Sequence, residues 1–244
     1  MATDYNKIAK EYQASKLLPW RIYAEAYTFF NVIGDLQGKD ILDLACGEGF
    51  YSRQFKLRGA GRVTGVDISR EMIALAKASE QENPMGIEYH VKDVLSLDLN
   101  YEYDCVCASY LLNYARNASE LQGMAHSIFR HLKTGGRFIT INSNPDYTAA
   151  KDVLRKYGFT RENMGTVDGS ETIYCLYLPD GKHINITNYN LSREAHEHVF
   201  LAAGFSGLNW SEVAISPEGE KEFGEEYWKE ILMSQPVTCI SADK

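Results

Sequence analysis

Several features that mark other classes of protein are missing from this sequence. No apolar run in the 244 residues approaches the ~20 that a membrane-spanning helix requires. The five cysteines form no Cys-x-x-Cys pair and no Cys/His cluster with zinc spacing, which argues against a metal site and indicates reduced thiols. The opening stretch MATDYNKIAKEYQ contains an acid and lacks the apolar centre of a signal peptide. We therefore expect a cytoplasmic protein with no membrane partner.

The sequence also lacks a surplus of positive charge. It has 25 Lys and Arg residues against 33 Asp and Glu residues, for a formal net charge of −8. Phosphate backbones are bound by surplus basic residues, so this balance argues against a nucleic-acid partner unless a local basic patch exists. The other proportions, 45% hydrophobic and 24% charged, are typical of a globular protein. A monomer or homodimer that acts on a small molecule is the expected form.

Strand-like and helix-like segments alternate through the middle of the chain. Helices of 10 to 15 residues between buried strands imply right-handed crossovers and a parallel sheet covered on both faces. This pattern predicts an α/β fold with a doubly wound, Rossmann-like sheet. The predicted strands are 40–45, 62–68, 87–93, 103–111 and 137–142, with two closing strands at 207–216 and 236–244.

The regions around this core have other patterns. Tyr5 and Tyr12 lie on one face of a predicted helix, and a second helix follows Pro19. A helix over 146–158 and a hairpin that turns at Pro179-Asp180-Gly181 interrupt the alternation. We predict one domain, 1–244, composed of N-terminal lid helices (1–37), a cofactor-binding core (38–142), a substrate cap insertion (143–191) and the C-terminal part of the core (192–244).

The glycine-rich loop in ILDLACGEGF differs from a phosphate-binding loop. Gly47 and Gly49 form a G-x-G pair, but Ser52 stands where a dinucleotide fingerprint has its third glycine. No Gly-Lys-Ser/Thr follows, so a Walker loop is excluded. Asp43, just before the loop, would repel a pyrophosphate. The loop therefore favours a cationic ligand without phosphates, approached so closely by the backbone that glycine is required.

Two more acids stand at the ends of the next two strands. Asp67 ends the second strand, where a carboxylate can accept hydrogen bonds from a ribose diol, although it could instead cap the following helix. Asp93 ends the third strand and can accept from the exocyclic amine of adenine, while the Val94 backbone faces the ring. Ribose, adenine and a cationic group together describe S-adenosylmethionine.

These motifs resemble those of the class I S-adenosylmethionine-dependent methyltransferases. The resemblance covers most of 38–142 and includes, in order, ILDLACGEGF, VTGVDIS, VKDV, CVCASYLLNY and LKTGGRFIT. It implies a seven-stranded sheet and S-adenosylmethionine as cofactor, with S-adenosylhomocysteine as product. The cofactor-binding residues it predicts in the core are Asp43, Ala45, Gly47, Asp67, Ile68, Met72, Asp93, Val94 and Ser109.

The N-terminal segment supplies further predicted cofactor contacts. It is similar to the segment that enzymes resembling glycine N-methyltransferase fold over the methionine end of the cofactor. This likeness implies that Tyr12, Trp20 and Arg21 close the site, with Arg21 in a bidentate pair with the cofactor carboxylate. In the alternative interpretation, Tyr5 and Tyr12 are only the apolar face of a docking helix.

Aromatic and polar residues are the candidates for the acceptor side. Tyr110 and Asn113 follow the fourth strand and are the predicted catalytic residues, because Asn can orient an amine or carbonyl and Tyr can remove a proton. Tyr114, Tyr174 and Tyr189 are predicted to line a pocket for a flat, moderately polar acceptor. Core packing for Tyr110 and an ordinary half-buried hairpin remain the alternatives.

The sequence thus predicts methyl transfer from S-adenosylmethionine to a small molecule by in-line displacement. ACGEGFYSR, YLLNYA and EFGEEYW are similar to toxoflavin-type azapteridine N-methyltransferases, so a nitrogen of a heterocycle or amine is the expected acceptor. A small-molecule O-methyltransferase is the first alternative. A protein or tRNA methyltransferase and a non-catalytic S-adenosylmethionine-binding module are the others.

Overall fold

The alternating segments form the predicted doubly wound sheet, and a second, smaller sheet stands beside it. The protein is described by a computed structural model that covers residues 3–178 and 180–244. Its strands are β1 (Ile41–Leu44), β2 (Val63–Asp67), β3 (Ile87–Val91), β4 (Tyr103–Ser109), β5 (Leu132–Ser143), β6 (Phe159–Asn163), β7 (Ser170–Tyr177), β8 (His183–Asn190), β9 (Asn209–Ser211) and β10 (Val237–Asp243).

Helices connect and cover these strands. The α-helices are α1 (Ala9–Ser15), α2 (Tyr27–Ile33), α3 (Phe50–Leu57), α4 (Arg70–Glu82), α5 (Ala118–Arg130), α6 (Arg193–Ala203), α7 (Pro217–Phe223) and α8 (Glu225–Ser234). A π-helix spans Arg21–Ala26, and 3₁₀ helices span Val94–Ser96, Leu112–Tyr114 and Lys151–Tyr157. Within the described residues, no helix combines the length and the apolar character needed to cross a bilayer.

The large sheet has seven strands in the order β3-β2-β1-β4-β5-β10-β9, which confirms the predicted fold class. Strands β1 to β5 pair in parallel, and β10 is antiparallel to both of its neighbours. The chain order reverses between β1 and β4, so a crevice opens at their carboxyl ends. Ile41, Leu42 and Leu44 of β1 are fully buried because helices cover both faces.

The ends of two core helices depend on serine caps. The hydroxyl of Ser69 accepts a hydrogen bond from the Met72 amide and begins α4, so the alternative that Asp67 caps this helix is wrong. Ser192 caps α6 in the same way, and Gly204 ends it in the left-handed conformation with φ 108°. Because Ser69 occupies the capping position, the Asp67 carboxylate is left to accept hydrogen bonds from the amides of Gly47 and Ser69.

The second sheet has three antiparallel strands, β6-β7-β8, and lies within the predicted insertion. The predicted hairpin is present as β7 and β8, but its turn residue Pro179 lies outside the described residues. The sequence prediction missed β6, whose five residues carry too short an alternation to stand out. The α-helix expected over 146–158 is a 3₁₀ helix, Lys151–Tyr157, which ends at Gly158 with φ 88°.

Two terminal regions also differ from the sequence prediction. The helix predicted after Pro19 includes a π-helix, in which Ile22 is 42% exposed while Arg21 and Glu25 are buried. The strand expected over 207–216 is reduced to β9, and α7 and α8 follow it. Ser216 caps α7, whose first residue is a proline, which is a start signal that the sequence prediction overlooked.

Candidate cofactor and acceptor site

A cavity of about 310 Å³ opens at the carboxyl ends of β1, β2 and β4. We call it the cofactor cavity. It lies in the crevice that the reversal of strand order creates, where ligands bind in folds of this kind. Nine of the twelve predicted cofactor residues are among its walls: Tyr12, Ala45, Gly47, Asp67, Ile68, Met72, Asp93, Val94 and Ser109.

The backbone around this cavity adopts conformations that most residues avoid. Ala45 after β1 has φ 53° and Tyr110 after β4 has φ 62°, both in the left-handed region. A non-glycine residue held there costs roughly 1–3 kcal/mol and often marks a functional site. Gly49 has φ 82°, and a Cβ atom at this position would overlap the hydroxyl of Tyr89. Glycine at position 49 is therefore required both by conformation and by close packing.

The Asp67 carboxylate joins β2 to the glycine-rich loop. Its oxygens accept hydrogen bonds from the amides of Gly47 and Ser69, each at 2.8 Å. Burial raises the pKa of Asp67, and these amide hydrogen bonds oppose that rise. Asp93 has a similar arrangement, since its Oδ1 accepts from the Leu95 amide at 3.0 Å. Both acids are thus oriented by backbone groups before any ligand is bound.

A narrower extension of the cavity, which we call the methionine-end pocket, contains opposite charges. Its walls include Asp43, Lys16, Glu48 and Tyr51. Asp43 is 1% exposed and accepts a hydrogen bond from Ser52 Oγ at 2.5 Å. Burial raises the pKa of Asp43 to about 7, against the opposing effects of that hydrogen bond and the Lys16 charge. The sequence analysis predicted Asp43 here and missed Lys16.

Trp20 and Arg21 are not among the residues that line the methionine-end pocket. The Trp20 ring packs on Phe159 with centroids 4.5 Å apart. Nη1 of Arg21 donates to both oxygens of Glu25, at 3.3 and 3.2 Å. The π-helix sets this pairing, since both residues belong to it. Lys16 is the cation in the wall of this pocket, and the contact of Trp20 and Arg21 with the methionine end of the cofactor stays a prediction.

Glu25 joins the N-terminal helices to the strand ends. It is fully buried and accepts hydrogen bonds from the hydroxyls of Tyr51 at 2.7 Å and Tyr110 at 2.5 Å. Burial alone would raise the pKa of Glu25, but the charges of Arg21 and Lys16 and these hydroxyls hold it below its usual value. The sequence analysis missed Glu25, because an acid within an apolar-looking helix carries no signal of its partners.

A second, smaller cavity, which we call the acceptor pocket, lies between the N-terminal helices and the three-stranded sheet. Its walls are Tyr5, Tyr12, Trp20, Arg21, Tyr110, Tyr114, Tyr174, Leu176, Ile186 and Asn188. The predicted acceptor residues Tyr114 and Tyr174 are among them.

Two predicted acceptor-side residues lie outside both cavities. Tyr189 follows Asn188 along β8, and because side chains alternate along a strand, it is on the opposite face of the sheet. Asn113 is 3% exposed within a 3₁₀ helix and lines neither cavity. Asn188, rather than Tyr189, is in the wall of the acceptor pocket, and the roles of Tyr189 and Asn113 stay predictions.

Four tyrosines form the wall that the two cavities share: Tyr5, Tyr12, Tyr110 and Tyr114. The hydroxyls of Tyr5 and Tyr114 are hydrogen bonded to each other. Burial raises the pKa of Tyr110 and of Tyr114, so both are neutral phenols at physiological pH. Within 3–178 and 180–244, no cluster of three or more His, Cys, Asp or Glu side chains is arranged to hold a metal ion.

Comparison with known proteins agrees with this geometry. Residues 41–136 match the family model described as a methyltransferase domain. This segment is therefore similar to a methyltransferase domain. It contains β1 to β4 and the glycine-rich loop, and it ends within β5, so it comprises the strands whose ends form the cofactor cavity.

Solved structures share the fold over nearly the whole chain. An S-adenosylmethionine-dependent methyltransferase from Clostridium acetobutylicum aligns with a TM-score of 0.68 at 19% identity, covering 99% of each chain. Another from Mesorhizobium loti aligns with a TM-score of 0.66 at 18% identity, covering 94% of this chain and 100% of that one. Residues 41–136 and the elements around them thus share the fold of these proteins.

Sequence similarity to curated proteins is confined to part of the chain. The ubiquinone biosynthesis O-methyltransferase of Pseudomonas savastanoi is 32% identical over 114 residues, which cover 45% of this chain and 47% of that enzyme. A ubiquinone biosynthesis O-methyltransferase of Pseudomonas fluorescens is 32% identical over 115 residues, 46% of this chain and 48% of the enzyme. The chain therefore spans about half the length of these relatives.

Proposed function

We propose that this protein is an S-adenosylmethionine-dependent methyltransferase that acts on a small planar molecule. The observation that carries the proposal is the contiguity of two cavities across the four-tyrosine wall, one in the methyltransferase domain and one beneath the three-stranded sheet. A methyl donor in the first cavity and an acceptor in the second would meet at that wall. Residues 143–191 then serve as the cap over the acceptor.

The walls of the cofactor cavity fit the parts of S-adenosylmethionine. Asp67 would hold the ribose hydroxyls, and Asp93 with the Val94 backbone would hold adenine. At the methionine-end pocket, Asp43 would face the ammonium group and Lys16 the carboxylate. When bound, S-adenosylmethionine supplies an electrophilic methyl group.

The chain's own contribution to the rate is positioning. Well-oriented reactants can gain roughly 7–11 kcal/mol over free encounter. Tyr110 is held by its backbone conformation and by its hydrogen bond to Glu25, so it forms a fixed wall at the point of transfer. Tyr12 and Tyr114 complete the wall, and their rings exclude water from the reacting groups.

The acceptor atom is proposed to be nitrogen of a heterocycle, with oxygen as the second candidate. The likeness of ACGEGFYSR and YLLNYA to azapteridine N-methyltransferases favours nitrogen. The names of the relatives, which are O-methyltransferases of ubiquinone biosynthesis, favour oxygen. The aromatic lining of the acceptor pocket is typical of a site for a flat ring in either case.

Labelled cofactor tests the proposed function directly. The protein is incubated with methyl-labelled S-adenosylmethionine and whole-cell extract, and the products are separated by size. We expect label in the small-molecule fraction, in a compound whose structure then reveals N- or O-methylation. Label only in protein or RNA would contradict the proposal. Cofactor binding without transfer to any fraction would instead support a non-catalytic binding module.

A further inference from the structure

Two hydrogen-bond donors in the wall of the acceptor pocket have no acceptor in the described structure. Nε1 of Trp20 and Nε of Arg21 are buried and unpaired, and their residues are 2% and 5% exposed. A buried donor without a partner is costly, by about 1–3 kcal/mol. Because the donors belong to adjacent wall residues, one ligand with a hydrogen-bond-accepting atom at that wall would relieve both.

The same pocket has a cation in its wall. The Arg21 guanidinium lies 5.4 Å from the ring centre of Tyr12, 5.1 Å from Trp20 and 5.5 Å from Tyr110. Its carboxylate partner Glu25 is not part of the wall and already accepts hydrogen bonds from Arg21 and two tyrosines. An ammonium ligand would therefore meet a fixed cation, whereas a ligand with negative charge would be attracted.

No general base for the acceptor is present in this wall. Burial raises the pKa of Tyr5, Tyr110 and Tyr114, so none of these hydroxyls ionises near neutral pH. The pocket lining contains no histidine and no carboxylate. The charged and titratable groups around the acceptor are Arg21, Lys16, Glu25, Tyr5, Tyr12, Tyr51, Tyr110, Tyr114 and Tyr174.

We propose that the acceptor binds as an anion, with its charged oxygen or nitrogen accepting hydrogen bonds from Trp20 Nε1 and Arg21 Nε. The substrate class is a planar ring with a weakly acidic O–H or N–H group, such as a phenol or a ring lactam or imide. This inference rests on the proposed methyltransferase function. The acidic proton goes to solvent when the ring binds, so the protein needs no base.

The transfer step then balances in atoms and charge. The anionic heteroatom forms a bond to the methyl carbon with its lone pair, and the carbon–sulfur bond breaks with its electron pair moving to sulfur. A cationic sulfonium and an anionic acceptor become two neutral products. The arginine and tryptophan donors act on the acceptor before transfer and hold its charged atom at the wall.

Asn188, on the other side of the pocket, places a second requirement on the chemistry of the acceptor. Its Oδ1 is buried without a donor, and the residue is 4% exposed. It belongs to β8, whereas Trp20 and Arg21 belong to the N-terminal region. A ring with a further N–H or O–H group, besides the ionised one, would pair with this oxygen. Acceptors with such a donor are expected to bind more tightly than those without it.

The ionisation of a bound dye tests the proposal without turnover. The protein is saturated with S-adenosylhomocysteine, para-nitrophenol is added, and the visible absorbance of the bound phenolate is followed against pH. We expect the ionisation constant of the bound dye to rise at least tenfold over that of the free dye. Lumazine, a ring with acidic N–H groups, is measured in the same way and should respond alike.

Matched variants identify the donors. Trp20→Phe removes Nε1–H and keeps a ring against Phe159, and Arg21→Lys keeps the charge and removes Nε–H; each should reduce the rise severalfold. Trp228→Phe is the control, since Trp228 Nε1 donates to the carbonyl of Gly219. This control should leave the ionisation of the bound dye unchanged. Circular dichroism of each variant verifies that it is folded.

Three results would overturn the proposal. These are binding of the dye as the neutral phenol, failure of both probes to bind, and tighter binding of benzylamine than of either acidic ring. The test is separate from that of the proposed function. Labelled product without a dye shift would reject only the anionic acceptor, and a dye shift without any labelled product would reject only the methyl transfer.

Discussion

The cofactor cavity and the acceptor pocket share one wall but are organised in different ways. In the cofactor cavity, the Asp67 and Asp93 carboxylates already accept hydrogen bonds from backbone amides before a ligand arrives. In the acceptor pocket, Trp20 Nε1, Arg21 Nε and Asn188 Oδ1 have no protein partner. Short local loops orient the acids of the cofactor cavity, whereas a ligand would supply the missing hydrogen-bond partners in the acceptor pocket.

The two regions also differ in how the chain assembles them. The cofactor cavity is formed largely by residues that directly follow strands of one parallel sheet. The acceptor pocket combines the N-terminal region, the end of β4 and the three-stranded sheet. Glu25 connects these parts through Tyr51 and Tyr110. The comparison implies that changes at Glu25 or in the four-tyrosine wall affect both cavities, whereas changes at residues that line only one cavity affect that cavity.

Loss of Glu25 should have the largest effect. Glu25→Ala leaves Arg21 buried without its partner, and removing one member of a buried ion pair typically costs about 3–5 kcal/mol. We expect the free energy of unfolding in chemical denaturation to fall by that amount. Glu226→Ala, at a residue that is 86% exposed, is the control and should unfold like the wild type. Equal stability of the two variants would show that Glu25 does not connect the regions.

Loss of Asp67 should affect the cofactor cavity alone. Asp67→Ala removes the carboxylate that we assign to the ribose, and a hydrogen bond to a charged group is worth about 1.5–3 kcal/mol. Calorimetry should show S-adenosylmethionine affinity reduced at least tenfold, with binding of para-nitrophenol to the S-adenosylhomocysteine-saturated enzyme retained. Asp98→Ala, an exposed acid after β3, serves as control. Unchanged affinity in Asp67→Ala would refute our assignment of the ribose.

The acidity of Asp43 should make cofactor binding depend on pH. With a pKa of about 7, Asp43 is mostly ionised at pH 8 and mostly protonated at pH 6. A cationic ammonium favours the ionised form, so affinity should fall up to about tenfold over this range. Calorimetry at both pH values measures the affinity of the wild type and of Asp43→Asn for S-adenosylmethionine. The affinity of the variant should not change between them. The same dependence of affinity on pH in both proteins would show that a group other than Asp43 titrates in this range.

Asp43 should also influence stability, with the opposite sign. Its folded-state pKa of about 7 lies above the ordinary value of ~3.9, so the folded protein binds this proton more tightly than the unfolded chain. The resulting stabilisation is present at acid pH and is lost as the pH rises from the ordinary value to the folded one. At pH 8, Asp43→Asn should therefore have a higher Tm than the wild type without ligand.

Changes at Lys16, in the wall of the methionine-end pocket, and at Arg21, in the wall of the acceptor pocket, should have the smallest effects. Lys16→Met should weaken S-adenosylmethionine binding by roughly 1 kcal/mol, a few-fold change for a cation partly paired with Glu25. Arg21→Lys should change the KM of the acceptor more than the affinity for the cofactor, because Arg21 lines the acceptor pocket. Calorimetry measures the affinity of each variant for the cofactor, and steady-state kinetics measures the KM of the acceptor. A larger effect of Arg21→Lys on cofactor affinity than on the KM of the acceptor would indicate that Arg21 contacts the methionine end of the cofactor.

The sequence revealed much more of the cofactor cavity than of the acceptor pocket. Asp67 and Asp93 were predictable because each stands at the carboxyl end of a strand that the sequence pattern predicts, and such ends meet at one edge of a parallel sheet. Lys16 and Glu25 were not, since Asp43 near Lys16 and the tyrosines that donate to Glu25 are distant in sequence, and the sequence analysis did not predict the π-helix. Tyr189 was assigned in place of Asn188 because aromatic composition does not reveal which face of a strand is inward.

The central claim is that donor and acceptor meet across the four-tyrosine wall, and a crystal structure with S-adenosylhomocysteine tests it most directly. We expect adenine at Asp93 and Val94, the amino-acid end between Asp43 and Lys16, and the sulfur facing Tyr110 and the acceptor pocket. A ligand with its sulfur turned away from the tyrosines, or bound outside this cavity, would contradict the account.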